Sequence, residues 1–292
     1  MKILITGSKG QVAKELERIL LEEKITYQSF DSKELDISSE AQLRHKVESW
    51  DPNIIINCAA YTNVEGAEVY KEKALNVNVI GVKNLVKICL EKDIVLIHIS
   101  SDYVFDGRSL NHYSENSIPN PLNFYGATKL IGDMIISSML SNYFIVRTSW
   151  VYGSSGNNFL RNIAKKIIKK ESLQVVGDQI GSPTSSKSIS QFIIFLCKCV
   201  KNRKFKNYGL YNFCNAGQIT WYEFAKQIIL TLKQKKIIES PIKLTKIRSS
   251  EIKSKARRPK RAVLSTDKAS RLLNYKMRDW KDELIEAINE LY

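Results

Sequence analysis

The opening stretch of the chain constrains its fold more than any other part. Met1-Lys2-Ile3-Leu4-Ile5-Thr6-Gly7 reads as a short apolar strand running straight into a glycine turn. Ser8-Lys9-Gly10-Gln11-Val12-Ala13 follows, and then Lys14 to Leu21 with apolar residues at helical spacing. The order is strand, Gly-x-x-Gly-x-x-Ala, helix. Gly7 allows the tight turn, Gly10 lets a pyrophosphate approach the backbone, and Ala13 lets the helix pack on the strand. The free N–H groups at the helix start then face the phosphate charge. The spacing is one residue longer than the commonest dinucleotide fingerprint, and Ala replaces its last Gly. An ordinary strand-turn-helix with incidental glycines is the competing reading.

A second strand, Ile25 to Phe30, ends at Asp31, roughly twenty residues past the glycine turn, where an acid can accept hydrogen bonds from an adenosine ribose. Such an acid repels a 2′-phosphate and favours NADH over NADPH, while Lys9 and Lys33 nearby oppose that preference. Leu35-Asp36-Ile37 is expected to cover the adenine, with Asp36 equally placed to cap a helix starting at Ser38. Further strands are expected at Asn53–Ala60, Ile94–Ser101 and Tyr143–Trp150, with a helix over Ala74–Leu90 among the patterns between them. This alternation predicts an α/β fold, a Rossmann-type doubly wound parallel sheet whose ligands collect at the carboxyl ends of its strands. Thr62, Ser101 and Trp150 fall at such ends.

Tyr125-Gly126-Ala127-Thr128-Lys129 carries the chemistry. In a helix, residues four apart project from one face. A tyrosine with its ordinary pKa of about 10 is a poor proton donor at neutral pH, and an ammonium one turn away favours its phenolate. Alone, the pair is common by chance on solvated helix faces; a cofactor turn in the same chain gives it weight.

Composition narrows the class. Hydrophobic residues make up 43% of the 292, which suits a globular core. No apolar run is long enough to span a bilayer, and the N-terminal strand has no signal-peptide organisation, so a cytoplasmic protein is expected, without membrane contact. Five scattered cysteines and three histidines show neither disulfide nor metal spacing. Cys197-x-Cys199 adjoins an apolar segment from Gln191 and reads as helix packing. The net charge of +15 is concentrated in the second half, where residues 151–292 hold 29 Lys/Arg against 11 Asp/Glu. Lys165-Lys166, Lys169-Lys170 and Lys233–Lys236 alternate with apolar residues as a solvated helix face does, and no nucleic-acid motif accompanies them. No nucleic-acid partner is expected.

Across nearly its whole length the chain resembles the extended short-chain dehydrogenase/reductases, and within them the dTDP-4-dehydrorhamnose reductases. The resemblance rests on Gly7-x-x-Gly10-Gln11-Val12, Asn57-Cys58-Ala59-Ala60-Tyr61-Thr62, Ser100-Ser101-Asp102-Tyr103-Val104-Phe105 and Tyr125-x-x-x-Lys129. It continues through Arg147–Gly153, Gly156–Phe159, Asp178–Thr184 and Ala256-Arg257-Arg258-Pro259. It implies NADH- or NADPH-dependent reduction of the C4 keto group of dTDP-4-dehydro-6-deoxy-L-mannose to dTDP-L-rhamnose, for a cell-surface polysaccharide or glycoside. By the same match Tyr125 protonates the alkoxide, Lys129 holds the nicotinamide ribose and lowers the tyrosine pKa, and Ser101, usually Thr in relatives, polarises the carbonyl. Gly7 belongs to the cofactor turn; Gly10, Gln11 and Val12 cradle the pyrophosphate. Asp31, Asp36 and Ile37 meet the adenosine, and Ala60, Tyr61 and Thr62 line the cofactor. Asp102 and Trp150 contact the deoxysugar, and Arg257 and Arg258 approach the substrate diphosphate.

One departure concerns assembly. Some relatives hold magnesium at a dimer contact through three glutamates; two match Glu15 and Glu290, but the third position is Lys187, whose ammonium cannot ligate a cation. No metal is expected, and a monomer or a dimer not bridged by magnesium. The expected domains are residues 1–150 for the cofactor, with return elements at about 185–215, and a smaller α/β substrate-binding domain from 151–184 and 216–292. The alternatives are another sugar-nucleotide reductase or epimerase of this fold acting on a different 4-keto sugar, and a non-catalytic NAD(P)-binding regulatory subunit. The Ser101-Asp102-Tyr103 order lacks the Asp-Glu pair expected of a dehydratase.

Overall fold

The computed structural model describes residues 1–202, 204–239 and 241–292. In chain order the elements of the first half are β1 (Lys2–Thr6), α1 (Gln11–Glu22), β2 (Thr26–Phe30), α2 (Glu40–Trp50), β3 (Ile54–Asn57), α3 (Val64–Val69), α4 (Lys71–Leu75), a π-helical turn (Asn76–Gly81), α5 (Val82–Lys92), β4 (Val95–Ser101), α6 (Phe124–Met139) and β5 (Tyr143–Thr148). The second half continues with β6 (Val151–Tyr152), α7 (Phe159–Ile168), β7 (Leu173–Val176), β8 (Ile180–Gly181), β9 (Thr184–Ser185), α8 (Ser186–Val200), β10 (Gly209–Asn212), β11 (Ile219–Thr220), α9 (Trp221–Gln234), β12 (Leu244–Ile247), α10 (Asp267–Leu273) and α11 (Trp280–Leu291).

Six strands form one parallel sheet in the order β2-β1-β3-β4-β5-β10. Successive side chains of a strand point to opposite faces, and both faces here are covered. Ile3, Ile5, Ile54, Ile56, Val95, Ile97, Phe144 and Val146 pack under α1 and α8. Leu4, Ile55, Leu96 and Ile145 point the other way, toward α2, α5 and α6. Continuous Ile/Val/Leu runs are what a doubly covered parallel sheet requires. The connection leaves β1 toward β2 and returns to β3, so the direction of winding reverses between β1 and β3, where ligands of such sheets bind.

The Ala74–Leu90 helix foreseen from periodicity is present with an interruption: the Asn76–Gly81 turn is π-helical, between α4 and α5. A separate core gathers Tyr152, Leu160, Ile163, Phe224, Ile228, Leu232, Trp280, Leu284 and Ile288 around three two-stranded sheets, β6 with β9, β8 with β11 and β7 with β12. Within the C-terminal stretch, Ala269, Leu273, Tyr275 and Met277 pack instead against the core of the large sheet. The lysines of α7 and of the α9 end are exposed, as solvated faces. Among the described residues no helix is long and apolar enough to cross a membrane.

Candidate active site

The glycine turn sits at the carboxyl end of β1. Gly7 has φ +74°, and a Cβ there would lie 2.7 Å from the Ala59 nitrogen, so only glycine lets the β1 and β3 loops meet. Gly10 N-caps α1 with extended backbone, and no side chain caps the helix among the described residues. The first-turn N–H groups of Gln11, Val12 and Ala13 are thereby left for an anionic ligand. The Val12 side chain is buried in the core, leaving its backbone as the part that can meet a phosphate. Gln11 turns away: its Nε2 donates to the Val151 carbonyl at 3.3 Å, and its Oε1 accepts from Asn158 at 3.1 Å. It thus ties the cradle to the loop before α7.

Asp31, at the end of β2, is already engaged. Its Oδ1 accepts the backbone N–H of Lys33 at 2.7 Å and of Glu34 at 3.2 Å, and Lys9 pairs with its other oxygen. The Lys9 contact and these backbone donors hold its pKa below the usual value despite an opposing desolvation cost. Asp36 closes a turn by accepting the Ser38 N–H and hydroxyl at 2.9 and 2.7 Å; the helix cap is Ser39. Ile37 is buried, and a Cβ at Gly81 would strike it at 2.5 Å, so its side chain serves packing.

Past β3, Ala60 and Tyr61 are half-buried and Thr62 is exposed. The loop is pinned by Asn78, whose Oδ1 accepts the Tyr61 N–H at 2.9 Å while its Nδ2 donates to the Tyr61 carbonyl and the Thr128 hydroxyl. Asn78 lies in the π-helical turn, which re-aims it from the regular helical register; such turns recur at functional sites. Sequence periodicity passes over it because a π-turn is invisible to a regular repeat.

Ser101, Asp102, Tyr125 and Lys129 meet at the end of β4. Asn123 caps α6 by accepting the Gly126 N–H at 2.8 Å. A Cβ at Gly126 would lie 2.1 Å from the Tyr103 carbonyl oxygen, so this glycine seats α6 against the 102–104 turn. The Tyr125 and Tyr103 rings then meet edge to face at 5.6 Å. Burial raises the Tyr125 pKa, the Ser101 hydroxyl opposes, and the charge of Asp102 raises it further. Lys129 does not lower it here, because Nζ is turned elsewhere, 2.7 Å from the Ile99 carbonyl and 3.0 Å from His98 Nε2. Burial pulls the Lys129 pKa down to about 8 against the opposing charges of Asp133 and Cys58. Ser101 donates to Asp102 Oδ1 at 3.1 Å and accepts the Tyr103 N–H at 3.2 Å. Burial lifts Asp102 to about 7 although three donors oppose it.

On the facing side, Trp150 has φ +46°, a conformation costly for a bulky residue. Its ring stacks on Trp221 at 3.5 Å and 7°, and a Cβ at Gly181 would lie 2.4 Å from it. Trp221, the first residue of α9, had no signal beyond its aromatic character. Arg257 and Arg258 are exposed. Arg258 pairs with Glu65 at 3.2 Å, and Glu65 also accepts from Ser254 and the N–H groups of Lys255 and Ala256. Burial would raise Glu65, but these donors hold it at about 2. The basic loop is thus latched to α3, while the Arg257 side chain beside it makes no hydrogen bond among the described residues.

The Glu15, Lys187 and Glu290 positions do not suit a hard cation. Lys187 Nζ donates to Glu286 at 2.8 Å and Glu290 at 3.3 Å, and Glu15 pairs with Arg18 at 3.2 Å. Arg278 and then Lys187 hold Glu286 at about 2. The ammonium occupies the acidic cluster itself.

The chain that carries this glycine cradle and the buried Ser101, Tyr125 and Lys129 matches known proteins end to end. The family model described as RmlD substrate binding domain matches residues 1–292. The dTDP-4-dehydrorhamnose reductase of Aggregatibacter actinomycetemcomitans is 32% identical over 284 residues, covering 97% of each chain. The dTDP-4-keto-6-deoxy-D-glucose reductase of Streptomyces niveus is also 32% identical, over 97% of this chain and 95% of its own. A crystal structure of dTDP-4-dehydrorhamnose reductase from Bacillus anthracis in complex with NADP superposes with TM-score 0.90 at 34% identity, over 99% of both chains. With matches spanning both the cofactor sheet and the smaller core, this chain belongs to the RmlD/dTDP-4-dehydrorhamnose reductase family of oxidoreductases.

Proposed function

We propose that the protein reduces the C4 keto group of dTDP-4-dehydrorhamnose to give dTDP-L-rhamnose, using NADH or NADPH. The observation that carries this reading is the pairing of Ser101 with Tyr125 at the end of β4, with Lys129 one turn along α6 and bonded to Ile99 of the same strand, beside the cradle between β1 and β3. The cradle fits a dinucleotide: Gly7 and Gly10 remove side chains where a pyrophosphate approaches, and α1 offers N–H groups without a side-chain cap. A bound reduced nicotinamide supplies the hydride that the keto carbon accepts. Ser101 turns its hydroxyl from Asp102 to the keto oxygen and polarises it. Tyr125 gives its phenolic proton to that oxygen as charge develops, and burial, which raises its pKa, keeps the proton in place until then. Lys129 in its charged form stabilises the phenolate left behind. Trp150, held by Trp221, forms a flat wall for the deoxysugar, and Arg257 meets the diphosphate. Residues 1–150 with 185–215 serve the cofactor, and 151–184 with 216–292 the sugar nucleotide, apart from the α10 segment packed on the sheet.

The same chemistry on dTDP-4-keto-6-deoxy-D-glucose is the second reading, favoured by the Streptomyces relative of equal identity. Consumption of NADPH and of NADH with each 4-keto sugar, followed by identification of the product, separates them. Cofactor oxidation with dTDP-4-dehydrorhamnose, which is reduced to dTDP-L-rhamnose, supports the first reading. Turnover only of the gluco substrate selects the second, and turnover of neither overturns both.

A further inference from the structure

Behind Lys129 lies a row of buried polar side chains that no step above uses. Thr6 of β1, Asn57 of β3 and His98 of β4 are direct neighbours in register across three adjacent strands. All three are at most 1% exposed. Thr6 Oγ1 donates to Asn57 Oδ1 at 2.6 Å, and the Ala59 N–H donates to the same oxygen at 3.1 Å. These two donors settle which end of the amide is oxygen, because the reverse orientation would point an NH2 group at a backbone N–H. Asn57 Nδ2 therefore faces His98 Nδ1, at 2.9 Å. An amide nitrogen only donates, so Nδ1 accepts and carries no proton.

Burial keeps the imidazole neutral, pushing the His98 pKa well below its ordinary value, and a charged Lys129 would push it further the same way. A neutral ring with a bare Nδ1 has its proton on Nε2. That N–H points at Lys129 Nζ, 3.0 Å away, while Nζ donates to the Ile99 carbonyl. An ammonium has three donors and no acceptor, so it would oppose one N–H with another; a neutral amine has the lone pair that completes the contact.

We propose that His98 is the positioning residue that sets the charge of Lys129: the Thr6–Asn57–His98 rung presents a proton donor to the lysine and biases it toward the neutral amine in the cofactor-free protein. When Nζ leaves Nε2 for acceptors such as the hydroxyls of a nicotinamide ribose it takes up a proton from solvent and is held as the ammonium, so binding favours the charge that steadies a Tyr125 phenolate. This consequence rests on the role given to Lys129 under Proposed function. The other charged groups around Lys129 act in known directions. Asp133 on α6 and Cys58 after β3 raise its pKa, burial outweighs both, and Asp133 is itself bound to Arg147 of β5 at 2.9 Å.

The test reads protons directly by NMR on protein labelled at histidine and lysine. Only His45 and His112 share the histidine spectrum, so His98→Gln assigns His98, and Lys129→Arg assigns the lysine. The wild type is expected to show His98 as the neutral Nε2–H tautomer at neutral pH. His98→Gln, whose amide oxygen can turn to accept from an ammonium, is expected to raise the Lys129 pKa by about one unit or more, a tenfold change. A neutral Nδ1–H tautomer or an imidazolium in the wild type overturns the proposal, as does a Lys129 pKa unmoved in His98→Gln, which would leave burial as the whole cause. Should His98→Gln not fold, Asn57→Asp offers a carboxylate to Nδ1–H. His98 should then change tautomer and the Lys129 pKa should rise; an unchanged tautomer overturns the proposal. None of these measurements depends on turnover, so a failed reductase assay leaves them standing, and their failure leaves the reductase reading intact.

Discussion

The two ends of the site are built from opposite materials. At β1 the cradle consists of backbone, with Gly7 and Gly10 withholding side chains and α1 offering uncapped N–H groups. At β4 the proposed acid–base group consists of side chains whose burial lifts Asp102 to about 7 and pulls Lys129 down to about 8. A backbone cradle keeps its partial charges at every pH, since they come from peptide dipoles. The side-chain cluster has charges that depend on burial and on who faces whom, so proton control resides there. Its polar groups also come at a cost in stability that a cradle of backbone avoids.

The most damaging change on the side-chain end should be Tyr125→Phe. It removes one hydroxyl while keeping the ring against Tyr103, and turnover should fall by about a hundredfold or more, the scale of positioned acid catalysis. Cofactor binding should persist, because the cradle is untouched; steady-state kinetics beside cofactor titration checks both, and a variant of near-normal turnover removes Tyr125 from the mechanism.

Asp102 should show the stability cost of that end. Its folded pKa, about 7, lies above the ordinary value of 3.8. Stability is therefore fully present below about pH 4 and is lost as pH rises toward 7. At about 1.4 kcal/mol per unit, the loss reaches roughly 4 kcal/mol above neutrality. Asp102→Asn should recover up to about that much at pH 8 and little at pH 4. Denaturant unfolding at both pH values tests this, and an equal effect at the two would mean that folding does not raise the Asp102 pKa.

A smaller effect is expected at the wall. Trp221→Ala releases Trp150 from its stack, worth about 0.5–1.5 kcal/mol for an aromatic pair. The substrate KM should rise by up to about tenfold with a lesser change in kcat. A fall confined to kcat would place Trp221 in a different role.

On the backbone end, Asp31→Ala should shift preference toward NADPH by no more than about fivefold, because the exposed Lys9 already pairs with the carboxylate. A much larger switch would show that Lys9 leaves Asp31 when cofactor binds. Smallest of all is the response to magnesium, since Lys187 already neutralises Glu286 and Glu290. Light scattering and turnover should be unchanged by magnesium or a chelator, and a dimer that dissociates on chelation would refute the lysine argument.

Much of this was legible in the residues alone. Strand runs such as Ile54-Ile55-Ile56 announce a sheet covered on both faces, since no exposed strand tolerates three such side chains in a row. The glycine spacing and the Tyr125–Lys129 pair are local in the chain, and local spacing survives folding. What tertiary structure decided is everything that depends on neighbours distant in sequence. Asp31 lies by Lys9, Arg258 is latched to Glu65, and Trp150 is locked on Trp221, each by contacts that no spacing encodes. The Asn76–Gly81 turn reads as ordinary helix, yet its π geometry aims Asn78 at the loop after β3. His98 reads as one polar residue in an apolar strand; only the register of β1, β3 and β4 lines it up with Thr6 and Asn57 and sets its proton against Lys129. Residue types name the groups that can titrate, whereas the charge each group carries is fixed by burial and by facing donors, which exist only once the strands are side by side.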